Sequence, residues 1–217
     1  MNKGHDLRME VFQQAGLYLV TSKAQSAGRP TLEIIAAALA GGCRLIQLRE
    51  KDLSIREYLA LAMKARSLTA AAGALLLVND RIDVAMAVGA DGVHLGQDDF
   101  PICEARRLAP DLIIGASSHS TEEARQAQAD GASYVNIGPL FPTNTKIWTG
   151  EFLGLEGLRT ISAVVSIPFT VMGGIKEEHI PSLKAAGATT VAVVSAVTAE
   201  ADVSAACRRM IAAIKAH

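Results

Sequence analysis

Short apolar runs recur along the whole chain, each followed by a longer segment whose apolar positions have helical spacing. The runs occupy residues 17–21, 44–48, 75–78, 92–95, 112–116, 134–137, 169–172 and 191–194. They are continuously apolar, as strands of a parallel sheet covered on both faces are. Segments 55–72, 121–129, 177–186 and 199–216 have helical composition and periodicity. Caps mark several starts: Ser54 precedes Ile55-Arg56-Glu57, and Ser120 precedes Thr121-Glu122-Glu123. Glycine follows several of the helices, at Gly41, Gly73, Gly131 and Gly187, as helix C-termini favour. Gly-Ala-Asp and Ala-Gly-Ala turns ahead of strands, at 89–91 and 186–188, mark a repeated βα unit. Eight such units without a break in composition predict an α/β fold, a single (β/α)₈ TIM barrel over 1–217 in which 1–14 is an N-terminal extension. Periodicity alone leaves an open doubly wound sheet as the alternative.

A length of 217 residues is enough for one such barrel, and 50% apolar residues supply its core. The net charge of −1 gives no reason to expect nucleic acid or an anionic membrane as partner. Any anion must therefore be held by local placement of cations. Cys43, Cys103 and Cys207 are odd in number and lack metal-ligand spacing, which predicts reduced thiols in a cytoplasmic protein. The charged and polar N-terminus has no signal-peptide pattern, and stretches such as 70–78 are too short to span a bilayer.

In a barrel, chemistry gathers at the C-terminal ends of the strands. Gln47, Arg49 and Lys51 follow the second run and share one side of an extended segment. Asn79-Asp80-Arg81 follows the third run and Gln97-Asp98-Asp99 the fourth, on strands about 4.8 Å apart if they are neighbours. Asp80 and one aspartate of the next loop then have two readings, helix caps or ligands of a hard cation such as Mg²⁺. The fifth loop offers Ser117, Ser118, His119 and Ser120, with Ser120 read as a cap. The sixth concentrates donors in Thr143-Asn144-Thr145-Lys146, stiffened by Pro139 and Pro142. Gly173-Gly174 and Val194-Ser195 follow the last two runs, where barrels often hold a phosphate.

Segments 18–21, 47–51, 78–81, 91–99, 138–146 and 173–175, in this order and spacing, resemble the thiamine phosphate synthase family nearly from end to end. The resemblance implies a Mg²⁺-dependent transferase of thiamine biosynthesis that joins a hydroxymethylpyrimidine diphosphate to a thiazole phosphate by dissociative substitution. It places the pyrimidine diphosphate on Gln47, Arg49, Lys51, Asn79, Ser117 and Lys146, with Arg49, Lys51 and Lys146 stabilising the leaving group. It assigns the metal to Asp80 and Asp99, preferring Asp99 to Asp98. It gives the thiazole phosphate to Thr143, Thr145, Gly174, Val194 and Ser195. The partners it implies are small-molecule substrates, with no nucleic acid and no membrane; a homo-oligomer is left open. One departure is that 147–152 is more apolar than the family's loop there, which bears on how that loop closes. The alternatives are a thiazole tautomerase relative using His119 and a non-catalytic phosphate-binding barrel.

Overall fold

A computed structural model describes residues 3–145 and 149–216. Eight parallel strands close into a barrel in sequence order: β1 (Leu17–Val20), β2 (Leu45–Leu48), β3 (Leu75–Asn79), β4 (Gly92–Leu95), β5 (Ile113–Ser118), β6 (Tyr134–Ile137), β7 (Phe169–Val171) and β8 (Thr190–Val193). Closure comes from β1 pairing with β8, Leu17 opposite Val191 and Leu19 opposite Val193. The ring removes every free edge, so the open-sheet alternative falls.

Alternation divides the strands between two cores. Leu17, Leu19, Ile46, Leu48, Leu76 and Val78 point outward and pack under the helices. Tyr18, Val20, Leu45, Leu75, Leu77, Ile113 and Tyr134 point inward and fill the barrel. Gly115 on β5 exists for one of these: a Cβ there would lie 2.2 Å from Tyr134 Cζ and 2.3 Å from its hydroxyl. Gly115→Ala is therefore expected to lose about 1–3 kcal/mol by overpacking, roughly 2–4 °C of Tm per kcal/mol. A thermal melt with an unshifted midpoint would contradict this packing.

The segment read as an extension is a helix, α1 (Lys3–Gln14). It turns Met9 and Phe12 into the inner core, with the Phe12 ring 4.5 Å from that of Tyr134. Each buried apolar side chain contributes about 1.5–3 kcal/mol. The outer helices are α2 (Thr31–Ala40), α3 (Ile55–Ala71), α4 (Ile82–Val88), α5 (Ile102–Leu108), α6 (Thr121–Ala129), α7 (Gly154–Ser162), α8 (Ile180–Ala185), α9 (Ser195–Thr198) and α10 (Val203–Ala216). The expected caps are present: Ser54 and Glu57 form a capping box, and Ser120 accepts from Glu123 N–H.

Two expected helices start elsewhere. The segment 177–186 opens as a 3₁₀ turn, Glu177–His179, and becomes α8 only where Pro181 fits the first helical turn. The segment 199–216 begins its helix at Val203, because Asp202 caps it, its carboxylate accepting from Ala205 N–H at 2.9 Å. Among the described residues no helix is long and apolar enough to cross a membrane.

Candidate active site

The strand ends open into a cavity of about 770 Å³, within the range of small-molecule sites. The sequence-predicted residues Gln47, Arg49, Lys51, Asn79, Asp80, Asp99, Ser117, Thr143, Thr145, Gly174, Val194 and Ser195 all line it. Lys146, Ile147 and Trp148 lie outside the described residues.

Extended backbone from the end of β2 onward places Gln47, Arg49 and Lys51 on the cavity side and sends Glu50 the other way. The Glu50 carboxylate accepts from the Thr21 hydroxyl at 3.1 Å, the Thr31 hydroxyl at 2.7 Å and Lys23 N–H at 2.9 Å. This clamp holds the loop so that the two cations face inward. Lys51 is not merely solvated, since its ammonium donates to Asp80.

Asp80 sits at φ 60, a left-handed conformation uncommon outside glycine. Its N–H donates to the His94 carbonyl at 2.8 Å, tying the end of β3 to β4. The cap reading fails, because α4 starts at Ile82 with Arg81 at its N-cap and no side chain capping it. It fails for Asp98 and Asp99 too, because α5 is preceded by Pro101. Asp98 is exposed and lies off the cavity, whereas Asp99 turns inward and accepts from Gly96 N–H at 2.7 Å. Burial first, and then a hydrogen bond and like charge from Asp80, hold the Asp99 carboxyl above its usual pKa. Gly96 N–H and Lys51 pull the other way.

The two carboxylates therefore meet, and a hard divalent cation between them would relieve their repulsion. Among the described residues no three His, Cys, Asp or Glu side chains gather as a metal cluster. The donor set is this oxygen pair, which suits a cation that completes its shell with water and substrate phosphate.

Across the cavity, the loop after β6 packs against the loop after β7. Leu140 N–H donates to Met172 O at 2.9 Å and Phe141 N–H to Gly173 O at 3.0 Å. Gly174, at φ +63, approaches so closely that a Cβ would lie 2.3 Å from Pro142 O. Thr143 Oγ1 accepts from Thr145 N–H at 3.2 Å, shaping the donor-rich turn.

The sequence reading missed His94, Asn136 and Met172 in the floor and Glu177, Glu200 and Arg209 at the rim. The floor residues carried a signal: His94 and Asn136 are polar side chains inside otherwise apolar strands. His94 is buried, and burial lowers its pKa to about 4, so the ring is neutral. His119 also lines the cavity, with Nδ1 2.8 Å from the Glu123 carboxylate.

Comparison with known proteins places the chain among relatives. The family described as "Thiamine monophosphate synthase" matches residues 17–197. The chain is similar to the thiamine-phosphate synthase of Moorella thermoacetica, 50% identical over 91% of this chain and 94% of that protein. It is likewise similar to that of Chloroflexus aurantiacus, 48% identical over 89% and 90%. Among solved structures it resembles a thiamine phosphate pyrophosphorylase from Pyrococcus furiosus at TM-score 0.86 and 39% identity, covering 94% of this chain and 97% of that one. With the match running from the first strand past the last, this chain belongs to the thiamine monophosphate synthase family.

Proposed function

We propose that the chain condenses 4-amino-2-methyl-5-hydroxymethylpyrimidine diphosphate with 4-methyl-5-hydroxyethylthiazole phosphate, using Mg²⁺ at Asp80 and Asp99, to give thiamine phosphate and diphosphate. The observation that carries this reading is the corner where Lys51 bonds Asp80 beside Asp99, in one cavity with Gln47 and Ser117. That is the equipment for expelling a diphosphate from an oriented ring.

The pyrimidine C–O bond breaks with its electron pair leaving on the diphosphate oxygen. The thiazole nitrogen then supplies the pair for the new C–N bond. Neither step needs a strong base. Gln47, Asn79 and Ser117 orient the pyrimidine, and Arg49, Lys51 and Lys146 receive the charge that grows on the diphosphate. Thr143, Thr145, Gly174, Val194 and Ser195 hold the thiazole phosphate at the opposite side. Mg²⁺, when bound, neutralises part of the departing charge. Three unpaired thiols suit a reducing cytoplasm.

The test is to mix the pure protein with both substrates and Mg²⁺ and detect thiamine phosphate; no product would refute the reading. The tautomerase and non-catalytic alternatives are not favoured by the relatives, all four quoted names being those of this synthase or its family. His119 gives a second check. Its ring is held by Glu123 at the start of α6, and no step requires it as a base. His119→Ala should keep kcat within about threefold, under 1 kcal/mol. A thousandfold loss, about 4 kcal/mol, would point to acid–base catalysis instead.

A further inference from the structure

Five polar side chains from five strands are linked end to end inside the barrel, running from the cavity floor down among the buried tyrosines and back. Gln47 Nε2 donates to the Tyr18 hydroxyl at 2.5 Å. The Tyr18 and Tyr134 hydroxyls are 2.9 Å apart. Tyr134 lies 2.9 Å from His94 Nδ1, and His94 Nε2 lies 3.0 Å from Ser117 Oγ. Both ends, Gln47 and Ser117, line the cavity, while Tyr18 and Tyr134 do not reach it. The two tyrosines are fully buried and held by ring contacts with Phe12 and with each other, so the three links they make have no water to compete for them, while the His94–Ser117 link lies at the cavity.

Such a chain has a direction. A hydroxyl has one proton to give, and a neutral imidazole donates at one nitrogen and accepts at the other. With the Gln47 amide donating into the first link, the arrangement that leaves no hydroxyl proton in the chain without an acceptor has Tyr18 donating to Tyr134 and Tyr134 donating to His94 Nδ1. The ring proton then sits on Nε2 and goes to Ser117 Oγ. The Ser117 O–H is left over as a donor to the cavity. Gln47 Oε1, which meets no donor among the described residues, faces the cavity as an acceptor.

We infer that Tyr18, Tyr134 and His94 are positioning residues that fix Gln47 as acceptor and Ser117 as donor, and so select a 4-aminopyrimidine over its 4-oxo analogue. The inference rests on the synthase reading for the identity of the ring. An aminopyrimidine presents an amino donor and a ring-nitrogen acceptor at opposite edges, which matches the two ends. A 4-oxo ring puts an acceptor against Gln47 Oε1. Turning that amide to meet it would require every proton in the chain to move. Linked buried bonds resist such a change together in a way that isolated ones do not.

Two measurements decide it. Nitrogen-15 NMR of the intact protein should show His94 protonated on Nε2 and bare on Nδ1; the Nδ1–H form, or an even mixture, overturns the inference. Tyr134→Phe cuts the chain without touching the substrate, freeing its two ends to reorient independently. The kcat/KM preference for the 4-amino over the 4-oxo diphosphate should then fall by about tenfold or more. KM for the thiazole phosphate should stay unchanged, which a general loss of structure would not allow. An unchanged preference, or equal damage to both KM values, overturns it. Tyr18→Phe cuts the next link and should give the same result, which covers a Tyr134 variant that does not fold. If the wild type makes no thiamine phosphate, the synthase reading fails, and the His94 tautomer still decides the relay.

Discussion

Adding excess chelator should abolish product formation, and Mg²⁺ should restore it. In side-chain terms, Asp80→Asn and Asp99→Asn are each expected to lower kcat/KM by about 10²–10³, roughly 3–4 kcal/mol of transition-state stabilisation. The physical basis is the meeting of two carboxylates in a partly buried corner, where Asp99 holds its proton more tightly than usual because of burial and of Asp80. On the proposed assignment, the pair without a cation would oppose an incoming diphosphate, and with one it would anchor it. Asp98 is the internal control. It is exposed and off the cavity, so Asp98→Asn should stay within about twofold of wild type, inside the small effects expected of surface changes. Full activity in chelator would remove the metal assignment, and a larger loss at Asp98 than at Asp99 would show that the wrong carboxylate had been chosen.

Lys51→Ala should lower kcat about a hundredfold, on the order of 3 kcal/mol, the scale of losing one preorganised charge donor. A cation that interacts more strongly with the leaving group as the bond breaks lowers the barrier, so its loss appears in kcat. One that holds ground and transition states equally changes KM alone. On the proposed assignment Lys51 would be of the first kind, because charge accumulates on the diphosphate only as the bond to carbon opens. Its ammonium already sits at Asp80, so it is in place before substrate arrives. Lys146→Ala is expected to behave alike, on the strength of its place after Thr145. Thr145→Ala should mainly raise KM for the thiazole phosphate, whose phosphate lies away from the breaking bond. Steady-state kinetics with each substrate varied in turn separates these cases. If both lysine variants kept kcat and the threonine variant lost it, the two substrate sites would be exchanged.

Residues close in sequence made the barrel and most of its site legible. Each strand is a short apolar run, and the two caps read ahead are a Ser with Glu three residues on; both follow from interactions spanning a few residues. Alternation from the end of β2 onward put Gln47, Arg49 and Lys51 on one side for the same reason. Where local signals were ambiguous, the tertiary structure decided. A residue such as Asp80 has the right type for a helix cap, yet its backbone is turned to φ 60 by a bond to His94 and its carboxylate is taken by Lys51, 29 positions away. The choice between Asp98 and Asp99 likewise depends on which of two adjacent side chains the Gly96 turn directs inward.

The polar chain inside the barrel was least visible. Tyr18 and Tyr134 read as ordinary members of apolar strands, and His94, though polar, gave no sign of its partners; Tyr18 and Tyr134, 116 positions apart, come within a hydrogen bond only because the barrel closes with β1 on β8. Sequence by itself therefore determined the βα units and the kinds of group at each strand end, because propensity and alternation act locally. Barrel closure determined which of those groups touch, because contact across a ring depends on the register of all eight strands at once.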